Sequence, residues 1–310
     1  MNAENNEHNT QEQELWDRIS TTEGTERAEV LDELSHIAYN RDNYTECLNL
    51  VDTSIDIYFK HGGVDVYLKE IMHLYHGKVH CLENLKRHAE AAEMHEEIAK
   101  LKFIDQDNEG QAEELRAAGR AWYKIEEWRK SLDNHLAAKV ITYPEISNLT
   151  MGIDLLNIGM ALAKLKNYQD AIESYIKARA LCKEARNPEF VNWCDNYLAL
   201  AYISLENGPE ARFHAQHYFN YSKVAEDLGM EGYARYRLGS AHLLCGDYED
   251  AGEHLKRSLE LLTIEEDKDW EDIVAVNKEL AKALIAQGHE KEARERLERV
   301  KTIEETISVC

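Results

Sequence analysis

The chain has 310 residues, of which 44% are hydrophobic and 31% charged, and this apolar content excludes a chain that is disordered throughout. Only 3 prolines and 15 glycines occur, which argues against a turn-rich β fold and favours long helices. The net charge of −23 argues against binding to nucleic acid, and no apolar run is long enough to span a membrane.

The first part of the chain is polar and has no apolar signal core. We predict a disordered N-terminus over residues 1–10 and an N-terminal capping helix over residues 11–27. The six cysteines are scattered and form no CxxC pair, which is typical of reduced core residues. We therefore expect a cytoplasmic protein. We also expect that it needs no cofactor.

A periodic series of small residues then runs through the chain, at spacings of 44, 40, 40, 40, 40 and 42 residues. Its members are Cys47, Ala91, Ser131, Ala171, Ala211, Ala251 and Ala293. A second series lies twelve residues earlier each time and consists of Ser35, Val79, Gly119, Gly159, Ala199, Gly239 and Ala281. Because two helices can approach closely only where side chains are small, the two series predict seven pairs of antiparallel helices.

Turn residues agree with this register. Asn167-Tyr168 and Gly246-Asp247 fall between the two predicted helices of their pairs, and Pro188 falls between two pairs. Each pair would leave one apolar face uncovered, so the pairs must stack on one another.

This pattern resembles the tetratricopeptide repeat (TPR) family. The resemblance is carried by Ala118-Gly119 with Ser131, by Ile158-Gly159 with Ala171, and by Leu238-Gly239 with Ala251. It implies an all-α fold, a right-handed superhelical solenoid of about seven TPR-like helix-turn-helix repeats over residues 28–308. The 40-residue period resembles the longer-repeat branch of the family, which includes Pins/LGN adaptors and Rap-type peptide receptors.

In that family the first helix of each repeat lines a concave groove that binds a peptide. Helical offset from the packed face places basic, aromatic and amide residues there: Arg116, Arg120, Tyr123, Lys124, Asn157, Lys164, Trp193, Asn196, Tyr197, Tyr233, Tyr236, Arg237, Lys278 and Lys282. Guanidinium groups suit carboxylate recognition, which indicates an acidic partner. The alternative is a solvated face whose charges pair with neighbouring helices.

A histidine cluster in the second repeat provides a separate hypothesis. His73, His76 and His80 follow i, i+3, i+7 spacing on one helix face, and His36 of the first repeat could face them. Imidazoles at this spacing can bind zinc or nickel. The HExxH signature is absent, so a polar groove lining is the simpler interpretation, and no metal is expected.

These observations favour a non-enzymatic scaffold whose groove captures an acidic peptide or partner segment. No nucleophile–base set or phosphate-binding loop indicates an enzyme. Two alternatives remain, a Rap-like peptide receptor that regulates another protein by conformational change and a metal-binding protein or enzyme at the histidine cluster. A homodimer is also left open.

Overall fold

A computed structural model describes residues 12–142, 146–264 and 268–307, and every regular element within these ranges is helical. The predicted all-α fold is thereby confirmed. The segment 1–10, which we predict to be disordered, lies outside the described residues. None of the helices in the described ranges is long and apolar enough to cross a membrane.

Helix α1 covers residues 12–19, and the helices that follow form antiparallel pairs in chain order. The pairs are α2 (Gly24–Asn40) with α3 (Tyr44–Lys60), α4 (Val64–Asn84) with α5 (His88–Ile104), α6 (Asn108–Lys124) with α7 (Trp128–Thr142), α8 (Asn148–Lys164) with α9 (Tyr168–Glu184), α10 (Pro188–Ser204) with α11 (Gly208–Ala225), α12 (Leu228–Cys245) with α13 (Tyr248–Leu262), and α14 (Trp270–Ala286) with α15 (Glu290–Ile307). Seven pairs are therefore present in the described part of the chain, as the small-residue series predicts.

The chain divides into two compact units, Met1–Ile146 (unit 1) and Ser147–Cys310 (unit 2). Helices α1 to α7 belong to unit 1, and α8 to α15 belong to unit 2. The solenoid that we predict over residues 28–308 therefore contributes helix pairs to both units.

Small residues permit the close approach of the two helices in each pair. A Cβ atom on Gly159 of α8 would lie 2.4 Å from the ring of Tyr175 on α9, and one on Gly239 of α12 would lie 2.7 Å from Leu255 on α13. Ala171 and Ala251 are fully buried on the facing helices. The predicted packing contact is confirmed at these pairs.

The turn inside each pair repeats the same backbone conformation. Its residue with positive φ recurs at the spacings of the small-residue series, as Asp42, Lys86, Glu126, Lys166, Glu206, Gly246 and Gly288. Five of these seven positions carry a side chain in the left-handed region that normally favours glycine. The repeat register is therefore fixed by helix packing and not by turn glycines.

The predicted capping segment 11–27 contains α1, a turn over residues 20–23 and the start of α2. Leu15 of α1 is buried in the hydrophobic core of unit 1, together with Leu31 and Leu34 of α2. The role of α1 as a cap stays a prediction.

Candidate functional site

In unit 2, the helices α10 and α12 carry aromatic side chains and one arginine that the sequence predicts to line the groove. We call this set the aromatic–arginine cluster; it consists of Trp193, Tyr197, Tyr233, Tyr236 and Arg237. The Tyr197 ring stacks on Tyr175 with centroids 5.6 Å apart and lies 6.4 Å from the Trp193 ring. The guanidinium of Arg237 lies 4.7 Å from the Tyr236 ring centroid, a cation–π distance.

Two polar atoms on α10 and α12, the helices that carry this cluster, have unused hydrogen-bonding capacity. The Nε atom of Arg237 and the Oδ1 atom of Asn196 are both buried, and neither has a hydrogen-bond partner within the described ranges. A buried polar group without a partner is unfavourable by roughly 1–3 kcal/mol. A ligand that brings an acceptor to Arg237 and a donor to Asn196 would remove that penalty.

The electrostatics of the cluster are mixed rather than basic. Burial raises the pKa of Asp272 and of Glu279 on α14, and the charge of Arg237 opposes both shifts. Burial likewise raises the pKa of Tyr197, again against the charge of Arg237. The guanidinium thus lies close to two carboxyl groups as well as to the aromatic rings, and these carboxyl groups reduce the local positive charge.

The remaining predicted groove residues of unit 2 differ in exposure. Asn196 and Tyr236 are only 8% and 9% exposed, so they offer a partner little surface. Lys164, Lys278 and Lys282 are exposed, and Asn157 is half-buried. The Nζ atom of Lys278 lies 2.7 Å from Glu304 of α15, as expected for a solvated face with paired charges.

In unit 1 the predicted residues lie on α6. Arg120 and Lys124 are exposed and Arg116 is half-buried, donating to the Thr142 hydroxyl on α7 at 3.1 Å. The ring of Tyr123 packs edge-on against Trp128, with centroids 4.8 Å apart. Their role in binding stays a prediction.

A cavity of about 480 Å³ opens in unit 2 between α9, α10 and α11. We call it the basic cavity, because its lining includes Arg179, Lys183 and Arg186 together with His217 and Tyr221. Lys183 and Arg186 are exposed and form no ion pair in the described part of the chain. A net positive cavity in a chain of charge −23 is suited to an anionic group.

Polar groups at the floor of the basic cavity come from α10. The Oδ1 atom of Asp195, which is almost fully buried, accepts from Arg179 Nε at 2.9 Å and lies 2.6 Å from His214 Nδ1. Asn192 is 3% exposed, and its Oδ1 atom is buried without a hydrogen-bond partner among the residues described. Asp195 therefore neutralises Arg179, while Lys183 and Arg186 are exposed to a ligand. The buried Asn192 amide oxygen lies at the floor of the cavity, and a ligand would reach it only after a small side-chain adjustment.

The basic cavity was not predicted, because the predicted groove residues all lie on the first helix of a pair. The signal was present, since Arg179 and Lys183 are four residues apart near the end of a second helix and Arg186 follows in the next turn. What spacing along α9 does not reveal is that α10 and α11 supply the other walls.

The three histidines of α4 have different partners. His73 Nε2 lies 3.3 Å from Asp32 Oδ2 of α2, whereas His76 Nδ1 lies 3.8 Å from Glu114 of α6, which also pairs with His95 at 2.7 Å. His80 is exposed. The three imidazoles are therefore not one site.

Two family models match parts of unit 2. Both are described as Tetratricopeptide repeat, and they match residues 155–191 and residues 232–304. These segments include Gly159 with Ala171 and Gly239 with Ala251, two of the residue pairs that carry the resemblance to the family. No curated protein matches the chain.

Several solved structures share the fold. BtubC from P. vanneervenii is 17% identical with a TM-score of 0.60, and the match covers 72% of this chain and 92% of that one. A signal transduction ATPase with a tetratricopeptide repeat sensor, from Pyrococcus horikoshii, is 16% identical with a TM-score of 0.64, over 89% of this chain and 42% of that one. A Rap protein complexed with Competence and Sporulation Factor is 13% identical with a TM-score of 0.56, over 90% and 77%.

Proposed function

Because this chain is built of tetratricopeptide repeats, we propose that it is a non-enzymatic scaffold that binds an acidic segment of a partner protein or peptide. The basic cavity carries the proposal. Lys183 and Arg186 offer two positive charges to a carboxylate, and the Asn192 amide oxygen can accept from a backbone N–H. An Asp or Glu residue within a peptide supplies both groups at once.

The aromatic–arginine cluster would hold a neighbouring part of the same segment. A peptide carbonyl can accept from Arg237 Nε, and a peptide N–H can donate to Asn196 Oδ1 after a small side-chain adjustment. Half-buried rings such as Trp193 and Tyr197 provide a rigid apolar surface, so that binding costs little side-chain conformational entropy. Asp272 and Glu279 lie on the α14 side of Arg237, so we place the acidic residues of the partner at the basic cavity.

Charge reversal at the basic cavity tests this proposal. Lys183→Glu should weaken binding of a fluorescent pool of Asp/Glu-rich peptides about tenfold or more, because an attractive contact becomes a repulsive one. Fluorescence polarisation measures the dissociation constant. Lys183→Glu should not weaken the binding of a matched Lys/Arg-rich pool, because the substitution adds negative charge to the chain.

Lys177→Glu is the matched control, since it makes the same charge change on the same helix. Lys177 is exposed, pairs with Glu173 at 2.5 Å and does not line the cavity. It should change the affinity by less than about twofold. Equal weakening by the two variants would mean that net charge, and not the cavity, governs binding.

A receptor that changes conformation on binding is the second candidate. It is favoured by the shared fold with the Rap protein that was solved with Competence and Sporulation Factor. Small-angle scattering of the full chain would distinguish it from a rigid scaffold, because only the receptor should change its scattering profile when the acidic peptide is added.

A further inference from the structure

Three potential metal ligands meet between the first two helix pairs of unit 1. Asp32 and His36 lie one turn apart on α2, and His73 faces them from α4. One ligand atom from each residue lies within 4.8 Å of the others. The sequence suggests that His36 could face α4, but it does not identify Asp32, because no spacing along the chain pairs a carboxylate of α2 with a histidine of α4.

The distances suit a tetrahedral ion. Zinc bonds of about 2.0–2.1 Å to nitrogen and oxygen place neighbouring ligand atoms about 3.3 Å apart. His73 Nε2 lies 3.3 Å from Asp32 Oδ2, and His36 Nε2 lies 3.8 Å from Asp32 Oδ1. The two imidazole centroids are 5.7 Å apart. Both histidines are more than half exposed, so their side chains can move the short distance that coordination requires.

The surroundings favour a cation. A cavity of about 410 Å³ next to these ligands is lined by Asp32 and His73 and by three further carboxylates, Glu29, Glu33 and Glu70, against one positive charge, Lys69. Excess negative charge raises the local concentration of divalent cations. Two imidazoles and one carboxylate, rather than carboxylates alone, select a first-row transition ion over magnesium or calcium.

We propose that Asp32, His36 and His73 bind one divalent transition-metal ion, with Zn²⁺ as the probe of choice. Two imidazole nitrogens and one carboxylate oxygen fill three positions, and water fills the fourth. Because the ligands come from α2 and α4, the ion would link the first helix pair to the second. Bound metal should therefore raise the thermal unfolding midpoint of the protein.

Equilibrium dialysis of the full chain against Zn²⁺ tests the site. The unmodified protein should bind one ion per chain at this site. His36→Gln and His73→Gln should each weaken binding by about a hundredfold or more, because loss of even a hydrogen-bond partner of a metal ligand typically costs about 10–100-fold in affinity. The Co²⁺-loaded protein should show the intense visible absorption of a tetrahedral ion, and each variant should lose it.

His80→Gln is the matched control, because His80 is an exposed histidine of the same helix outside the cluster. It should retain both the bound Zn²⁺ and the gain in thermal midpoint. His76→Gln tests the separate contact with Glu114 and should also retain them. Zn²⁺ binding that survives in the His36→Gln/His73→Gln double variant, or no stoichiometric Zn²⁺ on the unmodified chain, would overturn the proposal.

Discussion

At the scale of single residues, burial can change the pKa of an ionisable side chain, and His135 of α7 in unit 1 is a clear case. It is 2% exposed, and its Nδ1 atom is buried without a hydrogen-bond partner in the described ranges. Its ring lies against Gly119 of α6, where a Cβ atom would approach it to 2.7 Å. Burial, with smaller contributions from the charges of Arg120 and Arg116, lowers the pKa of His135 from 6.5 to about 4.

His135 should therefore remain neutral at pH 5. Because the unfolded chain binds this proton at a higher pH than the folded chain, His135 destabilises the fold as the pH falls from about 6.5 towards 4, by at most about 3 kcal/mol. An NMR titration of the imidazole resonances measures the midpoint directly. Arg120→Gln should raise the midpoint but leave it below 6.5, since burial is the larger cause. A midpoint near 6.5 in the unmodified protein would contradict this account.

The histidines of α4 show what sequence spacing can and cannot predict at this scale. Their i, i+3, i+7 positions place them along one helix, as expected. However, the partners of two of them come from other helices, Asp32 of α2 for His73 and Glu114 of α6 for His76. Such partners depend on how neighbouring pairs stack, which no local pattern contains.

At the scale of the helix pair, the two helices pack closely where one of them has a glycine at the point of contact. The Gly159 position on α8 is the tightest of these contacts, because an added Cβ atom would meet the Tyr175 ring at 2.4 Å. Gly77 on α4 is also inside a helix, but the nearest atom to its added Cβ would be Val51 Cγ2, at 4.0 Å. A methyl group would therefore clash with the facing helix at Gly159 but would fit at Gly77.

The same substitution should have opposite effects at these two glycines. Gly159→Ala should destabilise the protein by about 1–3 kcal/mol, because the extra methyl group forces the helices apart. Gly77→Ala should stabilise it by up to about 1 kcal/mol, because alanine favours a helix and the space is available. Chemical denaturation measures both. If Gly159→Ala is as stable as Gly77→Ala, close packing does not require glycine there.

The helix pairs were predictable because both small-residue series have physical causes that act within one pair. Their spacings of 40 to 44 residues follow from helix and turn lengths, and the buried alanines confirm them. The turn conformation was not predictable from composition. Lys166 and Glu206 adopt the left-handed conformation without glycine, since the packed helices on either side impose it.

At the scale of the whole molecule, the net charge of −23 conceals local differences between surfaces. The basic cavity of unit 2 carries Lys183 and Arg186, while the cavity beside His73 in unit 1 is lined by four carboxylates. The described part of the chain therefore offers a cavity suited to an anion and another suited to a cation. Both cavities have walls from more than one helix, so composition and spacing alone identify neither.

Locating a bound acidic peptide by hydrogen exchange tests the central claim most directly. With the Asp/Glu-rich peptide pool bound to the full chain, we predict slower amide exchange in the α9–α10 turn around Arg186 and in α10 and α12, which carry Asn192 and Arg237. At a peptide concentration near the dissociation constant of the unmodified protein, Lys183→Glu should strongly reduce this protection, and Lys177→Glu should not. Protection confined to unit 1, or binding that leaves α9, α10 and α12 unchanged, would contradict the account.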